Sequence, residues 1–216
     1  MTKHYKIYKN VKIGENADIG EHCVIGLPPS GASDGELKTI IGKNAVIRSH
    51  TVIYAGNVIG DGFHTGHGVL VREENMIGND VSVGTHSVIE HHTVIEDGVR
   101  MHTNVFIPET TVLKKGCWIG PHAVFTNAFH PLCPIVKKCL KGATVMEGAK
   151  IGANATVLPD LTIGKGALIG AGSVVTKDCD PESVYSGIPA VKIMAVKDLK
   201  CKYDLIERPY ETEEEK

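Results

Sequence analysis

One aliphatic residue recurs at every sixth position through most of the 216-residue chain. Between Ile41 and Phe125 the phase is unbroken over fifteen positions, and thirteen of these are aliphatic. The same phase is found in residues 13–25 and again in residues 145–175, which brings the total to twenty-four hexads. A period of six matches neither the period of about 3.6 of an α-helix nor the alternation of a half-buried strand. It is typical of short flat sides that are joined by corners.

This repeat predicts an all-β fold, a three-sided parallel β-helix. Three sides of six residues make a coil of eighteen, so the hexads predict about eight coils, roughly 38 Å tall at a strand spacing of about 4.8 Å. Small residues follow many of the aliphatic positions four places later, as a crowded interior corner requires. They include Ala17, Ala45, Ala123, Ala149, Ala155, Ala167 and Ser173. A helical solenoid does not have this period.

Two segments break the phase and are expected to leave the stack as projecting loops. Residues 26–40 are rich in Pro, Gly and Ser, while residues 127–144 carry a histidine, two cysteines and lysines. Loops on a rigid scaffold are where function concentrates, and the alternative for each is an ornamental surface loop. After Pro189 the period stops. We therefore predict one β-helix domain over residues 1–193, followed by a short helix and an acidic tail over residues 194–216.

Composition narrows the classes of function. Hydrophobic residues make up 42% of the chain and charged residues 22%, which is enough apolar side chain for one sizeable core. A formal charge of −2 provides no basic surface for nucleic acid. No apolar run approaches the ~18 residues of a membrane span, and the first ten residues lack the apolar centre of a secretory signal. We expect a cytoplasmic protein whose six cysteines are thiols or metal ligands rather than disulfides.

Residues eighteen apart should stack along one corner of the coil, and the three corners differ in composition. One corner has ordinary turn residues such as Lys43-Asn44 and Asp97-Gly98. The second corner stacks His50, Gly68, His86, Asn104 and His122. The third stacks Ala55, Glu73, His91, Glu109 and Asn127. Histidines on two corners suggest a groove shared between subunits, because only a neighbouring chain can bring two corners together. The alternative is a ladder of solvated turn histidines.

The most specific motifs lie between residues 118 and 193. They are Trp-Ile-Gly-Pro at 118–121, Phe-Thr-Asn at 125–127, His-Pro-Leu-Cys-Pro at 130–134, Ile-Gly-Ala-Gly-Ser-Val-Val-Thr-Lys-Asp at 169–178 and Ser-Gly-Ile-Pro-Ala at 186–190. In this order they resemble the acetyl-coenzyme A branch of the left-handed β-helix acyltransferases, the hexapeptide-repeat transferase family. The resemblance covers nearly the whole chain. It implies a left-handed coil, acetyl-coenzyme A as cosubstrate and a homotrimer.

Two subfamilies resemble the segment around the second loop. In the galactoside and maltose O-acetyltransferases, Gly-Pro is followed after eight residues by the His-Pro of the catalytic histidine, and here eight residues separate Pro121 from His130. The nucleotide-linked amino-sugar N-acetyltransferases have Phe-Thr-Asn-Asp and lack that histidine, whereas Ala128 replaces the acid here. The resemblance implies a sugar acetyltransferase. We favour the amino group of a nucleotide-linked amino sugar in surface glycan biosynthesis as acceptor, with sugar O-acetylation as the alternative.

Acetyl transfer from a thioester requires a base, donors for the developing oxyanion and exclusion of water. His130 is the candidate general base, because imidazole titrates near operating pH and this ring lies on the projecting loop. Packing of the ring against Pro131 is the alternative. Asn104 is a second candidate catalytic residue. The candidate substrate-binding residues are Asn127, Glu109, His91 and Glu73.

The resemblance implies that coenzyme A binds the C-terminal coils. Ala153 and Ala171 are small enough to let a pantetheine chain approach the backbone amides. Lys177 and Lys192 could meet the nucleotide phosphates as flexible point charges, or could be ordinary solvated lysines.

Three other interpretations were weighed. A zinc hydratase of the γ-carbonic anhydrase type uses the same scaffold with three histidines, and His64, His86 and His91 are the candidates. These three histidines lie five, three and two residues after an aliphatic repeat position. The zinc-binding histidines of that family lie one, two and one residues after it, so the phase argues against a hydratase. A non-enzymatic assembly scaffold is a further alternative. Cys133 and Cys139 with His130 could bind zinc as a third alternative, but their spacing matches no common zinc finger, so we expect no metal.

Overall fold

The computed structural model describes residues 4–210 and confirms the three-sided parallel β-helix. Its strands, numbered β1 to β27 in chain order, form three sheets that we name A, B and C. Sheet A contains β1 (Lys6–Ile7), β4 (Val24–Leu27), β7 (Val52–Tyr54), β10 (Leu70–Val71), β13 (Val88–Ile89), β16 (Phe106–Ile107), β19 (Val124–Phe125), β22 (Thr156–Val157) and β25 (Val174–Val175). Sheet B contains β2 (Val11–Ile13), β5 (Thr39–Ile41), β8 (Val58–Ile59), β11 (Met76–Ile77), β14 (Val94–Ile95), β17 (Val112–Leu113), β20 (Thr144–Val145) and β23 (Thr162–Ile163). Sheet C contains β3 (Asp18–Ile19), β6 (Val46–Ile47), β9 (His64–Thr65), β12 (Ser82–Val83), β15 (Arg100–Met101), β18 (Trp118–Ile119), β21 (Lys150–Ile151), β24 (Leu168–Ile169), β26 (Ser183–Gly187) and β27 (Ala190–Ala195).

The strand register confirms the eighteen-residue coil. In sheet A, Leu70 pairs with Val88, and Val88 pairs with Phe106 on the next coil. All of the strands pair in parallel except β26 with β27. The repeat also extends one hexad beyond the predicted start, since Ile7 pairs with Ile25.

The interior of the coil is filled by the residues of the six-residue phase. Ile53, Ile89 and Ile107 have no exposed surface, and burying each such side chain stabilises the fold by roughly 1.5–3 kcal/mol. The small residues four places after the repeat positions line the interior corners, as Ala123 does. Cys117 occupies the same kind of position, and burial raises the pKa of its thiol to about 12.

The outer faces of the three sheets differ in polarity. Outward-facing residues of sheet A include Val24, Val52, Leu70, Val88, Phe106 and Val124. Those of sheet B include Ile40, Val58, Met76, Val94 and Val112. Sheet C instead has His64, Ser82, Arg100, Trp118 and Lys150 along its outer face. Two faces are therefore suited to packing against protein, and the third is suited to water or a polar ligand.

Both interruptions of the repeat leave the stack as predicted, and both start from the corner between sheets A and B. The first lies between β4 and β5 and folds against the first coil, where the Lys9 amide donates to Asp34 Oδ1 at 2.9 Å and Asn10 Nδ2 donates to the Gly35 carbonyl at 3.0 Å. The second lies between β19 and β20 and contains one 3-10 turn, Val136–Lys138. A single corner therefore carries both projecting loops.

The C-terminal segment differs from the prediction. Residues 183–195 form the hairpin of β26 and β27, in which β26 extends sheet C beside β24. The short helix after residue 193 is only a single 3-10 turn, Val196–Asp198. The reason is that the open edge of sheet C satisfies the backbone of this apolar segment, whereas so short an isolated helix has little intrinsic stability. The acidic residues of the predicted tail, 211–216, lie outside the described residues. Within residues 4–210 no helix has the length and apolar character needed to cross a membrane.

Candidate active site

Most of the predicted site residues lie on one corner of the coil. We name the turns between sheets A and B the A–B corner, and those between sheets C and A the C–A corner. Four predicted residues stack on the A–B corner, and the loop with His130 starts there. These four are Glu73, His91, Glu109 and Asn127. These four residues stack because they are spaced by eighteen, which is the length of one coil.

His91 and Glu109 form an ion-pair contact between adjacent coils of the A–B corner. His91 Nε2 lies 2.8 Å from Glu109 Oε2, and the two side chains are 29% and 18% exposed. His91 Nδ1 is buried and has no hydrogen-bond partner within residues 4–210. When Nε2 carries the proton and donates to Glu109, Nδ1 keeps a free lone pair. This arrangement fixes the orientation of the ring.

A second acidic group lies one coil below His91. Arg72 donates to both carboxylate oxygens of Glu73, at 2.8 and 2.9 Å, and also lies 3.4 Å from Glu90. Burial of the Glu73 carboxyl is the largest influence and opposes its ionisation, but the hydrogen bond from Arg72, a backbone hydrogen bond and the charges of Arg72 and His91 together hold the pKa of Glu73 below its usual value. His91 is therefore placed between two carboxylates, and one of them is already neutralised by an arginine.

Backbone geometry separates His91 from five of the other histidines. Five histidines have a left-handed backbone with φ between 55° and 63°, a conformation that Asn, Asp and His tolerate best among residues with a side chain. They are His22, His50, His86, His92 and His122. For these five, turn geometry accounts for the residue type. His91 is not among them, so its pairing with Glu109 needs another explanation.

Asn104 lies on the C–A corner, at the opposite edge of sheet A from His91. Its side-chain Nδ2 lies 3.4 Å from Nε2 of His122 on the next coil. Further along the same corner are Ala153 and Ala171, linked by the amide of Gly172, which donates to the Ala153 carbonyl at 2.8 Å. Asn104 and these two alanines therefore share one corner, and no single chain brings them to His91.

His130 is exposed on the second loop and lines a small cleft of about 100 Å³. Cys133 and Cys139 line the same cleft. The loop is fixed where it returns to the coil, because the Lys141 amide donates to the Asn127 carbonyl at 2.9 Å and the Gly142 amide donates to the side chain of Thr110 at 2.8 Å. In the part of the chain that the structure describes, no carboxylate is paired with His130, whereas His91 has one.

The two predicted phosphate-binding lysines lie apart from each other. Lys177 follows β25 on the A–B corner of the last coil, at the opposite edge of sheet A from Ala171. Lys192 lies in β27 and pairs with Asp180 at 3.0 Å, and this hydrogen bond raises the pKa of Lys192. Within one chain the four predicted cofactor residues therefore do not form a single pocket.

The histidines of the hydratase alternative are also separated. His64 lies on sheet C, His86 on the C–A corner and His91 on the A–B corner. Among residues 4–210, no group of three or more His, Cys, Asp or Glu side chains is arranged to hold a metal ion. All six cysteines are free thiols.

Comparison with known proteins identifies the repeat. Residues 142–177 match the family model for the bacterial transferase hexapeptide, six repeats. This segment of the chain carries the hexapeptide repeat. The match agrees with the resemblance that the motifs carry, and the three parallel sheets are the β-helix that this resemblance implies.

Curated proteins that are similar to part of this chain include acetyltransferases. The chain is 40% identical to the galactoside O-acetyltransferase of Escherichia coli K12 over 55 residues, which is 26% of this chain and 27% of the relative. It is 52% identical to the serine acetyltransferase of Bacillus pumilus over 46 residues, 21% of each chain. The chain thus spans about a quarter of the length of these curated relatives.

Solved structures with similar folds include two sugar-nucleotide acyltransferases. PerB from Caulobacter crescentus, in complex with CoA and GDP-perosamine, is 25% identical over 66% of this chain and 56% of that chain, with a TM-score of 0.36. The UDP-N-acetylglucosamine acyltransferase of Bacteroides fragilis is 16% identical over 89% of this chain and 73% of that chain, with a TM-score of 0.48.

Proposed function

We propose that this protein is an acetyl-coenzyme A-dependent acetyltransferase whose acceptor is a sugar. The observation that carries the proposal is the contact between His91 and Glu109 on the A–B corner, 2.8 Å long and mostly shielded from solvent. A shielded imidazole oriented by a carboxylate is the arrangement that general-base catalysis needs, and a base of this kind contributes roughly 10²–10⁴-fold to a rate. The acetyltransferase relatives support the choice of acetyl transfer as the reaction.

His91 is a better candidate for the base than His130. Glu109 fixes the ring of His91 and stabilises the imidazolium that forms when the ring takes a proton. His130 lies exposed on a loop without such a carboxylate. His130 keeps the role suggested by its motif as the alternative, since its loop begins directly above Glu109 in the column.

In the reaction, the acceptor nitrogen or oxygen of the sugar attacks the thioester carbonyl while His91 accepts the proton of the acceptor. A tetrahedral oxyanion forms, and it collapses when the carbon–sulfur bond breaks and the thiolate of coenzyme A leaves. The proton held by His91 then passes to the thiolate. Glu73, Glu109 and Asn127 line the corner where sugar hydroxyls would bind, and Ala153 and Ala171 line the corner where pantetheine would bind.

The two corners are brought together only if a neighbouring chain completes the site. Asn104 and the two alanines lie at one edge of sheet A and His91 at the other. The apolar outer faces of sheets A and B provide surface for self-association, and we propose a homotrimer. Its acceptor would be a nucleotide-linked amino sugar used in surface glycan synthesis, with a free sugar hydroxyl as the second candidate.

The test is release of the coenzyme A thiol from acetyl-coenzyme A in the presence of a panel of acceptors. The panel contains amino-sugar nucleotides with UDP, GDP and dTDP carriers, the same amino sugars without the nucleotide, and galactosides. We expect thiol release with at least one amino-sugar nucleotide and a stoichiometric N-acetyl product by mass spectrometry. Release with the galactosides alone would assign O-acetylation instead. Absence of thiol release with every acceptor, together with no coenzyme A binding by calorimetry, would overturn the proposal.

A further inference from the structure

A second polar site lies on the outer face of sheet C, away from the A–B corner. It is an open cleft of about 230 Å³. The side chains that line it include His64, Ser82, Arg100, His102 and Thr103. None of these residues has a role in the proposed acetyl transfer. Charged, aromatic and hydroxyl groups on one open face are the chemistry of a ligand site rather than of a protein core.

Arg100 supplies an uncompensated positive charge beside this cleft. Within residues 4–210 it makes no ion pair with a carboxylate, whereas Arg48 on the same face lies 3.9 Å from Asp18 and Arg72 holds Glu73 at 2.8 Å. The planar guanidinium has five N–H donors in a fork that matches the oxygens of a phosphate. An arginine left without a carboxylate is therefore available for an anion.

Trp118 and His102 add an aromatic wall next to that charge. Trp118 pairs in register with Arg100, one strand further along sheet C, and is 36% exposed. Its ring centroid lies 4.8 Å from that of His102. Burial, and to a lesser degree the charge of Arg100, lowers the pKa of His102, so its imidazole is neutral at pH 7. The indole offers a flat aromatic face on which a base can stack, and the His102 ring stands beside it at an interplanar angle of 59°.

The outer face of sheet C continues beyond the cleft and faces away from the apolar surfaces. Above Trp118 in the register is Lys150, and the C-terminal segment returns to this point, where Lys150 Nζ lies 4.6 Å from the centroid of the Tyr210 ring. Sheets A and B carry the apolar outer rows, so packing through those sheets leaves sheet C open to solvent. A soluble ligand could therefore reach the cleft in an assembled protein.

We propose that this cleft binds a nucleoside diphosphate, with the phosphates on Arg100 and the base stacked on Trp118. Neighbouring strands are about 4.8 Å apart, so Arg100 and Trp118 lie side by side on the outer face of sheet C. Two molecules carry this group, the sugar-nucleotide acceptor and coenzyme A. The inference rests on the proposed function only in naming these two sources.

The test is calorimetric titration of the full chain with UDP, GDP, dTDP, coenzyme A and inorganic phosphate. The variants are Arg100→Gln and Trp118→Leu, with Trp118→Phe as the variant that keeps an aromatic ring. Arg48→Gln is the matched control, because it removes an arginine from the same sheet. We expect at least a tenfold loss of nucleotide affinity in the first two variants, partial recovery in Trp118→Phe and less than a twofold change in Arg48→Gln. Thermal melting and size-exclusion chromatography verify that each variant is folded.

The outcomes separate the ligand sources and the two proposals. Loss of UDP, GDP or dTDP affinity assigns the cleft to the sugar nucleotide, and loss of coenzyme A affinity alone assigns it to the cosubstrate. Equal affinities in Arg100→Gln and wild type, or binding of inorganic phosphate as tight as that of every nucleotide, would overturn the inference. Acetyl transfer without nucleotide binding would reject the cleft and leave the proposed function standing. Nucleotide binding without acetyl transfer to any acceptor would reject the proposed function and leave the nucleotide site standing.

Discussion

Replacing Ile163 by alanine removes three buried carbon atoms from the interior of the coil, while replacing its neighbour Thr162 removes atoms that face solvent. Both residues belong to β23, and Ile163 has no exposed surface whereas Thr162 is exposed. Three carbon atoms at about 0.8 kcal/mol each give a transfer cost of about 2.4 kcal/mol. The cavity left in a closed coil adds to this, so Ile163→Ala should lower the free energy of unfolding by about 2–5 kcal/mol. Thr162→Ala should change it by about 0.5 kcal/mol or less.

Urea denaturation followed by circular dichroism measures both effects at one protein concentration, because association changes the apparent stability. An unchanged slope with a shifted midpoint shows that the two variants unfold to the same extent as wild type. Equal effects of the two substitutions would refute the reasoning, since the repeat assigns opposite faces to adjacent positions.

Three further predictions concern the site and the thiols. Co-expressed His91→Ala and Asn104→Ala chains should recover about one quarter of wild-type turnover when they mix at random. An active interface needs the intact His91 of an Asn104→Ala chain and the intact Asn104 of a His91→Ala chain. No recovery of turnover speaks against a shared site. Cys117, with its pKa raised to about 12 by burial, should stay unlabelled by a thiol reagent at pH 8 while exposed Cys139 reacts, as peptide mass spectrometry can show. Arg72→Gln removes the partner that lowers the pKa of a neighbouring glutamate. Such a carboxylate stabilises the fold only above its ordinary pKa, so the stability lost in Arg72→Gln should be large at pH 7 and shrink as the pH falls through about 4; equal losses at pH 7 and pH 3 in urea titrations would contradict this.

The fold was predictable because one residue type at one spacing specifies both the sheet face and the coil length. A six-residue phase that puts Ile107 inside necessarily puts Ile89 inside one coil earlier, and the structure has both fully buried. The end of the chain was not predictable in this way. After Pro189 no repeat remains, and Val191 and Ile193 fit a strand or a short helix equally well by pattern. The open edge of sheet C favours the strand, and that edge exists only once the coil has formed.

The candidate site was predictable as a set of corner columns but not as a geometry. Spacing by eighteen placed Glu109 above His91 and Thr110 above His92, yet spacing alone does not show which side chains meet. The backbone does, because His92 has a φ of 55° and takes the left-handed turn position, so that His91 is the ring that meets Glu109. A motif drew attention to His130, but a motif on a loop carries no information about which carboxylates surround it.

We propose that the base of the reaction is His91 held by Glu109. Turnover of acetyl-coenzyme A with the acceptor found in the panel should be measured for His91→Ala, Glu109→Gln and His130→Ala, with His92→Ala as the control on the same turn. We expect kcat to fall by about 10²-fold or more in His91→Ala, in line with the loss of a general base, and by a smaller factor in Glu109→Gln. His92→Ala and His130→Ala should remain within about threefold of wild type. Near-normal turnover in His91→Ala with a large loss in His130→Ala would contradict the account and move the base to the second loop.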